Sequence, residues 1–265
     1  MQSPPTSILV SIGGFDIHYY GLIMFCAIVC ALFVIRYIAK KYYRNIDTDV
    51  VLDILPPVII SAILGARLYY VLMDFGYFYE HPTEILALWH GGMSIHGGII
   101  GGVFAGWILA KVKKISFLQY ADVFSYGLVI GQAIGRFGNY FNCEAFGKPC
   151  FIPYLQLYIP EQYRPYGYET YEYFHPTFLY ESLWDIVVFF LLFGVIRKVP
   201  NIKDGTIFCT YLILYSIGRL IIESCRLDSV LNIGGIEIAS IVSAVIIVVS
   251  IVFLFFLYKK KGQDV

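Results

Sequence analysis

Long apolar runs alternate along the chain with short polar, basic or aromatic breaks, the pattern of a protein that crosses a membrane repeatedly. A crossing needs about 20 mostly apolar residues. Seven runs qualify, near residues 18–35, 51–73, 93–110, 117–135, 177–196, 205–223 and 235–258. The pattern predicts an all-α integral membrane protein, a single polytopic domain over residues 1–265 with about seven transmembrane helices. Between the fourth and fifth runs, residues 136–176 are rich in Pro, Tyr and Glu and cannot cross a membrane. Loops longer than about 15 residues usually carry function or structure of their own, so a small extracytoplasmic cap is expected there. The N-terminal MQSPPTSILVSIGGFD has no basic region and no small-residue cleavage pattern, so the first run is expected to remain as a span. No inverted repeat of the transporter kind is visible.

Composition agrees: 58% of the residues are hydrophobic and 14% charged, and the 23 tyrosines and 21 phenylalanines gather near the ends of the runs, where interfacial aromatics belong. Net charge is zero, so it says nothing about partners, whereas the placement of the basic residues sets an orientation. Arg36, Lys40, Lys41 and Arg44 follow the first run; Lys111, Lys113 and Lys114 follow the third; Arg197, Lys198 and Lys203 follow the fifth; Lys259, Lys260 and Lys261 end the chain. With seven spans these all fall on one side, which the positive-inside rule makes cytoplasmic. The N-terminus and the segments 74–92, 136–176 and 224–234 then face outward, and the C-terminus faces in. Cys26, Cys30 and Cys209 read as small buried hydrophobes; Cys143 and Cys150 share one outer loop, where pairing remains open.

The other basic residues, Arg67, Arg136, Lys148, Arg164, Arg219 and Arg226, break the pattern. At about 1.5 Å of rise per residue, Arg67 lies about 24 Å and Arg219 about 21 Å up their spans from the cytoplasmic end. Arg136 closes the fourth span. Tyr20, His96, His175, Glu181 and Glu223 stand at the same outer level, and Glu223 shares a helix face with Arg219. A charge at the centre of a span costs at least about 2.5 kcal/mol, so such groups usually face a bundle interior or a wet cavity. Snorkelling of a single arginine to the interface is the plain alternative; convergence from five spans argues against it. Gly101 and Gly102 read as helix-packing glycines, while Gly97 and Gly98 beside His96 suit close approach of either a helix or a ligand.

Arginine's planar fork suits phosphate, and arginines at headgroup depth suit a phospholipid. A histidine in the same pocket offers a proton acceptor near neutral pH. Displacement at a carbon bearing a phosphate ester fits both. A channel or transporter would need a polar path through the inner halves of the spans, which carry only Asp122 and Asp185. A lipid-binding scaffold and another headgroup transferase or phosphatase stay open at this point. No metal-ligand spacing is present.

The stretch GRFGNYFNCEAFG, residues 135–147, resembles the signature of the bacterial prolipoprotein diacylglyceryl transferases. Gly135, Arg136, Gly138, Asn139, Asn142, Glu144 and Gly147 match it, with Tyr140 where phenylalanine is usual. YYGL at Tyr20, GGMSIHGG at His96, and GRLIIESCR with Arg219, Glu223 and Arg226 are similar to further family motifs. Two departures stand out: Thr177 and Phe178 replace the usual Ser and Gln, and the proline common after the last arginine is missing from CRLDS. The resemblance implies transfer of the diacylglyceryl group of phosphatidylglycerol to the lipobox cysteine of a preprolipoprotein signal peptide, with release of glycerol phosphate. It implies a multi-pass enzyme of the bacterial cytoplasmic (inner) membrane whose site faces outward, with membrane lipids around it, no cofactor and no nucleic-acid partner. It gives His96, Arg136 and Arg219 catalytic roles. Substrate binding falls to Tyr20, Arg67, Gly97, Gly98, Asn139, Asn142, Glu144, Gly147, Glu223 and Arg226, with Asn139 and Glu144 holding Arg136 and the glycerol hydroxyls.

Overall fold

The computed structural model describes residues 1–4, 6–43, 45–88, 91–227, 232–233 and 236–259. Arg44, Lys260 and Lys261 lie outside them, as does the stretch 228–231 where the family proline is missing. The described chain is mostly helical: α1 (Tyr19–Tyr42), α2 (Thr48–Met73), α3 (Phe75–Glu80), α4 (Ile95–Val112), α5 (Phe117–Phe141), α6 (Thr177–Gly194), α7 (Thr206–Glu223) and α8 (Ile238–Lys259). Of these, α1, α2, α4, α6, α7 and α8 are long and apolar enough to cross a membrane, and the chain is an all-α multi-pass membrane protein. The remaining expected span, α5, is a helix of 25 residues, about 37 Å long. Its hydropathy is lowered by Asp122, Ser125, Gln132, Arg136 and Asn139.

Among the described residues, three small antiparallel strand pairs, invisible to a reading based on long apolar runs, accompany the helices: β1 (Ile8–Ile12) with β2 (Phe15–His18), β3 (Leu157–Tyr158) with β4 (Tyr173–Phe174), and β5 (Asn232–Ile233) with β6 (Ile236–Glu237). β3 to β6, at two residues each, are too short to show a period-2 pattern, and ILVSI of β1 is apolar at four of its five positions instead of alternating.

The chain divides into two compact units, Arg36–Tyr120 and Met1–Ile35 with Ala121–Val265. Within the first, α4 lies along α2. A Cβ on Gly97 would collide with the Gly65 carbonyl and one on Gly101 with the Ser61 carbonyl, while Gly98 and Gly102 have ordinary room. The i, i+4 glycines therefore bring the two backbones together, as small residues do in membrane helices, and the Ser61 hydroxyl donates to the Gly101 carbonyl at 3.0 Å.

In the second unit α1 packs along one face of α5, with Ile35 and Ala31 against Gly127, Ala27 and Ala31 against Gly131, Met24 against Gly135 and Tyr20 against Gly138. Asp122 of α5 caps α7: its Oδ2 accepts from the backbone N–H of Gly205 at 2.7 Å and its Oδ1 from Phe208 at 2.7 Å. Those N–H groups have no partner within the helix, and the helix dipole favours a negative charge at this end. The buried acid thus has a structural reason to be there. The 142–176 segment has its own core of Ala145, Phe146, Leu157, Ile159 and Phe174, closed by Phe178 from α6. The chain start docks on it, the Met1 carbonyl accepting from Tyr158 N–H at 3.0 Å and the Gln2 carbonyl from the Tyr140 hydroxyl at 2.6 Å.

Candidate functional site

The second unit gathers its arginines around one carboxylate. Glu181 lies one turn into α6 with only 4% of its side chain exposed. Its Oε2 sits 2.8 Å from Nη1 of Arg136 on α5, its Oε1 pairs with Nη1 of Arg219 on α7, and the same oxygen is 3.6 Å from Nη1 of Arg226, just beyond α7. Arg219 also reaches Glu223 through Nη2 at 2.6 Å, so the i, i+4 pair expected from spacing forms within the larger network. Arg136 donates from Nη2 to the Tyr215 hydroxyl at 3.2 Å. A cavity of about 10 Å³ beside these groups is lined by Arg136, Glu181, Asp185, Tyr215 and Arg219. Breaking such a network leaves a charge uncompensated in low dielectric, which typically costs about 3–5 kcal/mol.

The three arginines keep 13–19% of their side chains exposed. Each guanidinium carries five N–H donors; Arg136 and Arg219 each use two nitrogens on the partners above. Arg136 and Arg219 therefore combine fixed geometry with N–H groups that, among the described contacts, are left over for an anion.

At the C-terminal end of α5 a second polar group forms. Asn139 and Asn142 donate from Nδ2 to the two carboxylate oxygens of Glu144 at 3.3 and 3.4 Å, and Glu144 N–H donates to the Asn139 carbonyl at 2.9 Å. Glu144 is exposed and sits between Cys143 and Ala145, both at φ +54°. That left-handed backbone costs a non-glycine residue about 1–3 kcal/mol, and here it turns the chain so that Glu144 faces back to the asparagines. The resemblance implies that Asn139 and Glu144 hold Arg136; among the described contacts its partners are instead Glu181 and Tyr215. Tyr20 packs on Gly138, within electrostatic range of Arg136 and Glu144.

Gly147 has a packing task. A Cβ there would stand 2.7 Å from the Cys225 carbonyl and 2.9 Å from Thr177 Cγ2. Its N–H donates to the His175 carbonyl at 2.8 Å, while Lys148 N–H donates to the Cys225 carbonyl at 2.9 Å. The segment around Gly147 thereby fixes the chain that carries Arg226, with which Gly147 forms a bridge. The departure at Thr177 fits the same join, since its hydroxyl donates to the Ala145 carbonyl at 2.6 Å. Cys143 and Cys150 are both free thiols.

Arg67, His96, Gly97 and Gly98 belong to the other unit. Arg67 is 5% exposed and gives its N–H groups to backbone: Nε to Ile85 at 2.8 Å, Nη1 to Gly91 and Gly92 at 2.7 and 2.9 Å, and Nη2 to Glu84 at 2.5 Å. The residue expected to bind substrate instead satisfies carbonyls of its neighbouring loop. Gly97 serves the α2–α4 contact. His96 occupies the first turn of α4, partly exposed, with its ring 6.0 Å from that of Tyr69.

The site implied by the resemblance omits Tyr215, Asp185 and Glu181, although Glu181 stands among the polar residues that the chain places at the outer level. Glu181 and Asp185 are visible in the sequence as carboxylates inside an apolar run, which need a cationic partner. Tyr215 stands four residues before Arg219 on one helix face.

Fold and cluster together define a polytopic membrane protein with a buried arginine–carboxylate site. The family model of prolipoprotein diacylglyceryl transferase matches residues 7–256. Among curated relatives, the phosphatidylglycerol–prolipoprotein diacylglyceryl transferase of Trichormus variabilis is 45% identical over 261 residues, 97% of this chain and 91% of the relative. That of Thermotoga maritima is 42% identical over 255 residues, 96% and 84% of the two chains, and that of Synechocystis is 40% identical over 262 residues, 96% and 91%. The chain belongs to the prolipoprotein diacylglyceryl transferase family.

Proposed function

We infer that the protein transfers the diacylglyceryl group of phosphatidylglycerol to the lipobox cysteine of prolipoproteins, the first step of lipoprotein maturation. Beyond family membership, one observation carries this reading: Arg136, Arg219 and Arg226 converge on one point, and the first two keep donors to spare for a phosphate. In the reaction the cysteine sulfur attacks the glyceryl carbon next to the phosphate. A C–S bond forms, the C–O bond breaks, and its electron pair leaves with the phosphate oxygen as glycerol phosphate. Arg136 and Arg219 stabilise that developing charge, and one such donor is typically worth about 2.7–4 kcal/mol.

His96 is the proposed acceptor of the thiol proton, a role supported by the GGMSIHGG motif. The reference thiol pKa of about 8.5 leaves most of the sulfur protonated near neutrality, so removing that proton is a useful task. Asn139, Asn142 and Glu144 offer paired donors and acceptors to the headgroup glycerol, with Tyr20 orienting it. Glu223 and Arg226 complete the cluster, and Gly98 follows Gly97 and His96 in the first turn of α4. Gly97 and Gly147 support binding through the backbones they hold, while Arg67 orders the loop around residues 84–92.

The positive-inside pattern supports an N-terminus outside, a C-terminus in the cytoplasm, and a site toward the outer face of the bacterial cytoplasmic membrane. The test uses purified protein, phosphatidylglycerol and a lipobox peptide whose cysteine is intact or changed to serine, read by mass spectrometry. A diacylglyceryl gain on the cysteine peptide alone, matched by glycerol phosphate, is expected. Release of inorganic phosphate or headgroup exchange without a peptide adduct would favour a different headgroup transferase or phosphatase.

A further inference from the structure

The arginines that suit a phosphate already hold an anion of their own. Glu181 touches all three, with one oxygen toward Arg136 and the other toward Arg219 and Arg226. Glu223 pairs with Arg219 and Arg226 from the side of α7. A carboxylate set between guanidinium forks presents the same acceptors to the same donors as two phosphate oxygens. It is buried on a helix, so its presence at the cluster does not depend on concentration.

We propose that Glu181 is a resident competitor for the arginines and drives release of the phosphate product, an inference that rests on the activity read above. Phosphatidylglycerol brings one negative charge as a phosphodiester. Glycerol phosphate leaves as a monoester, with about −1.5 to −2 near pH 7. An unopposed cluster of three arginines would therefore hold its product more tightly than its substrate and stall. Coulomb energy scales with the charge on the ligand, so the Glu181 carboxylate penalises the product nearly twice as much as the substrate. When the C–O bond breaks and the phosphate gains charge, repulsion from Glu181, which keeps its own bonds to Arg136 and Arg219, pushes the product out.

A merely supporting role for Glu181 predicts the opposite sign for its removal. Loosened arginines would bind every phosphate less well, whereas loss of a competitor makes them bind better. Glu181→Gln keeps the shape and removes the charge; Glu181→Asp keeps the charge. The experiment measures thioether formation with phosphatidylglycerol and a lipobox peptide, inhibition by added glycerol phosphate, and the first turnover by rapid quench. For Glu181→Gln the expected results are a glycerol phosphate inhibition constant at least tenfold lower, a lower KM for phosphatidylglycerol, and a lower kcat with a burst in the first turnover, the mark of rate-limiting release. Glu181→Asp is expected to return the inhibition constant toward the wild-type value. An unchanged or raised inhibition constant in Glu181→Gln, in preparations whose wild type forms thioether, overturns this inference alone. Wild-type protein that forms no thioether overturns the underlying activity and this inference with it.

Discussion

Asp122, a buried carboxylate on α5, accepts a 2.7 Å hydrogen bond from the backbone N–H of Gly205, the residue just before α7. One acid on α5 thus orders the start of the helix whose other end carries Arg219 and Glu223. Replacing it with alanine leaves the N–H groups of Gly205 and Phe208 without their acceptor. Each buried orphan costs about 1–3 kcal/mol. Asp122→Ala is expected to lower the unfolding temperature markedly in detergent, with Asp122→Asn intermediate because it keeps one acceptor. Equal stability of Asp122→Ala and wild type would show that the cap contributes nothing.

Gly147→Ala is expected to destabilise the join between cap and α7 by about 1–3 kcal/mol, the usual cost of overpacking. The added methyl meets the Cys225 carbonyl at 2.7 Å, and backbone cannot step aside as a side chain can. Hydrogen exchange of the peptides spanning 145–149 and 223–227 should accelerate. Exchange unchanged from wild type would show that the contact has slack.

For Arg67 the expectation is a structural defect. Arg67→Lys keeps the charge but loses the planar fork that serves the carbonyls of Glu84, Ile85, Gly91 and Gly92. Faster proteolysis near residues 84–92 is expected, with the KM for phosphatidylglycerol within twofold of wild type. A KM raised tenfold with unchanged proteolysis would return Arg67 to the substrate.

Burial pushes the Cys143 thiol up from its ordinary range, and the nearby Glu144 carboxylate adds to the shift. The thiolate is the reactive form, and a raised pKa keeps it scarce until the pH is well above neutral. Exposed Cys225 is therefore expected to take up maleimide before buried Cys143, with Cys143 labelling late and still accelerating with pH beyond the point where an ordinary thiol levels off. Equal rates at neutral pH would contradict the burial.

Much of the fold is legible in the residues themselves. Apolar runs mark every long helix, because a membrane demands length and composition before packing, and the GRFGNYFNCEAFG motif marks Arg136 together with the asparagine–glutamate trio. Partnership is what the residues hide. Arg67 and Arg219 look alike as buried cations in the outer parts of their spans, yet one binds loop carbonyls and the other carboxylates. Glu181 looks like one polar intruder among several because its partners lie on other helices, 45 and 38 residues away. Gly97 and Gly98 are adjacent in sequence, but only the first faces α2 closely.

The central claim is that Arg136 grips the phosphate of the lipid, and its most direct test is thioether formation by Arg136→Lys alongside its unfolding temperature. A lysine preserves the charge opposite Glu181 but cannot serve Glu181, Tyr215 and a phosphate from one plane. Loss of one transition-state donor at about 2.7–4 kcal/mol corresponds to a fall of about 100- to 1000-fold. A fall of that size is expected, in protein that still unfolds within a few degrees of wild type. Activity within threefold of wild type would contradict the claim and move the phosphate elsewhere.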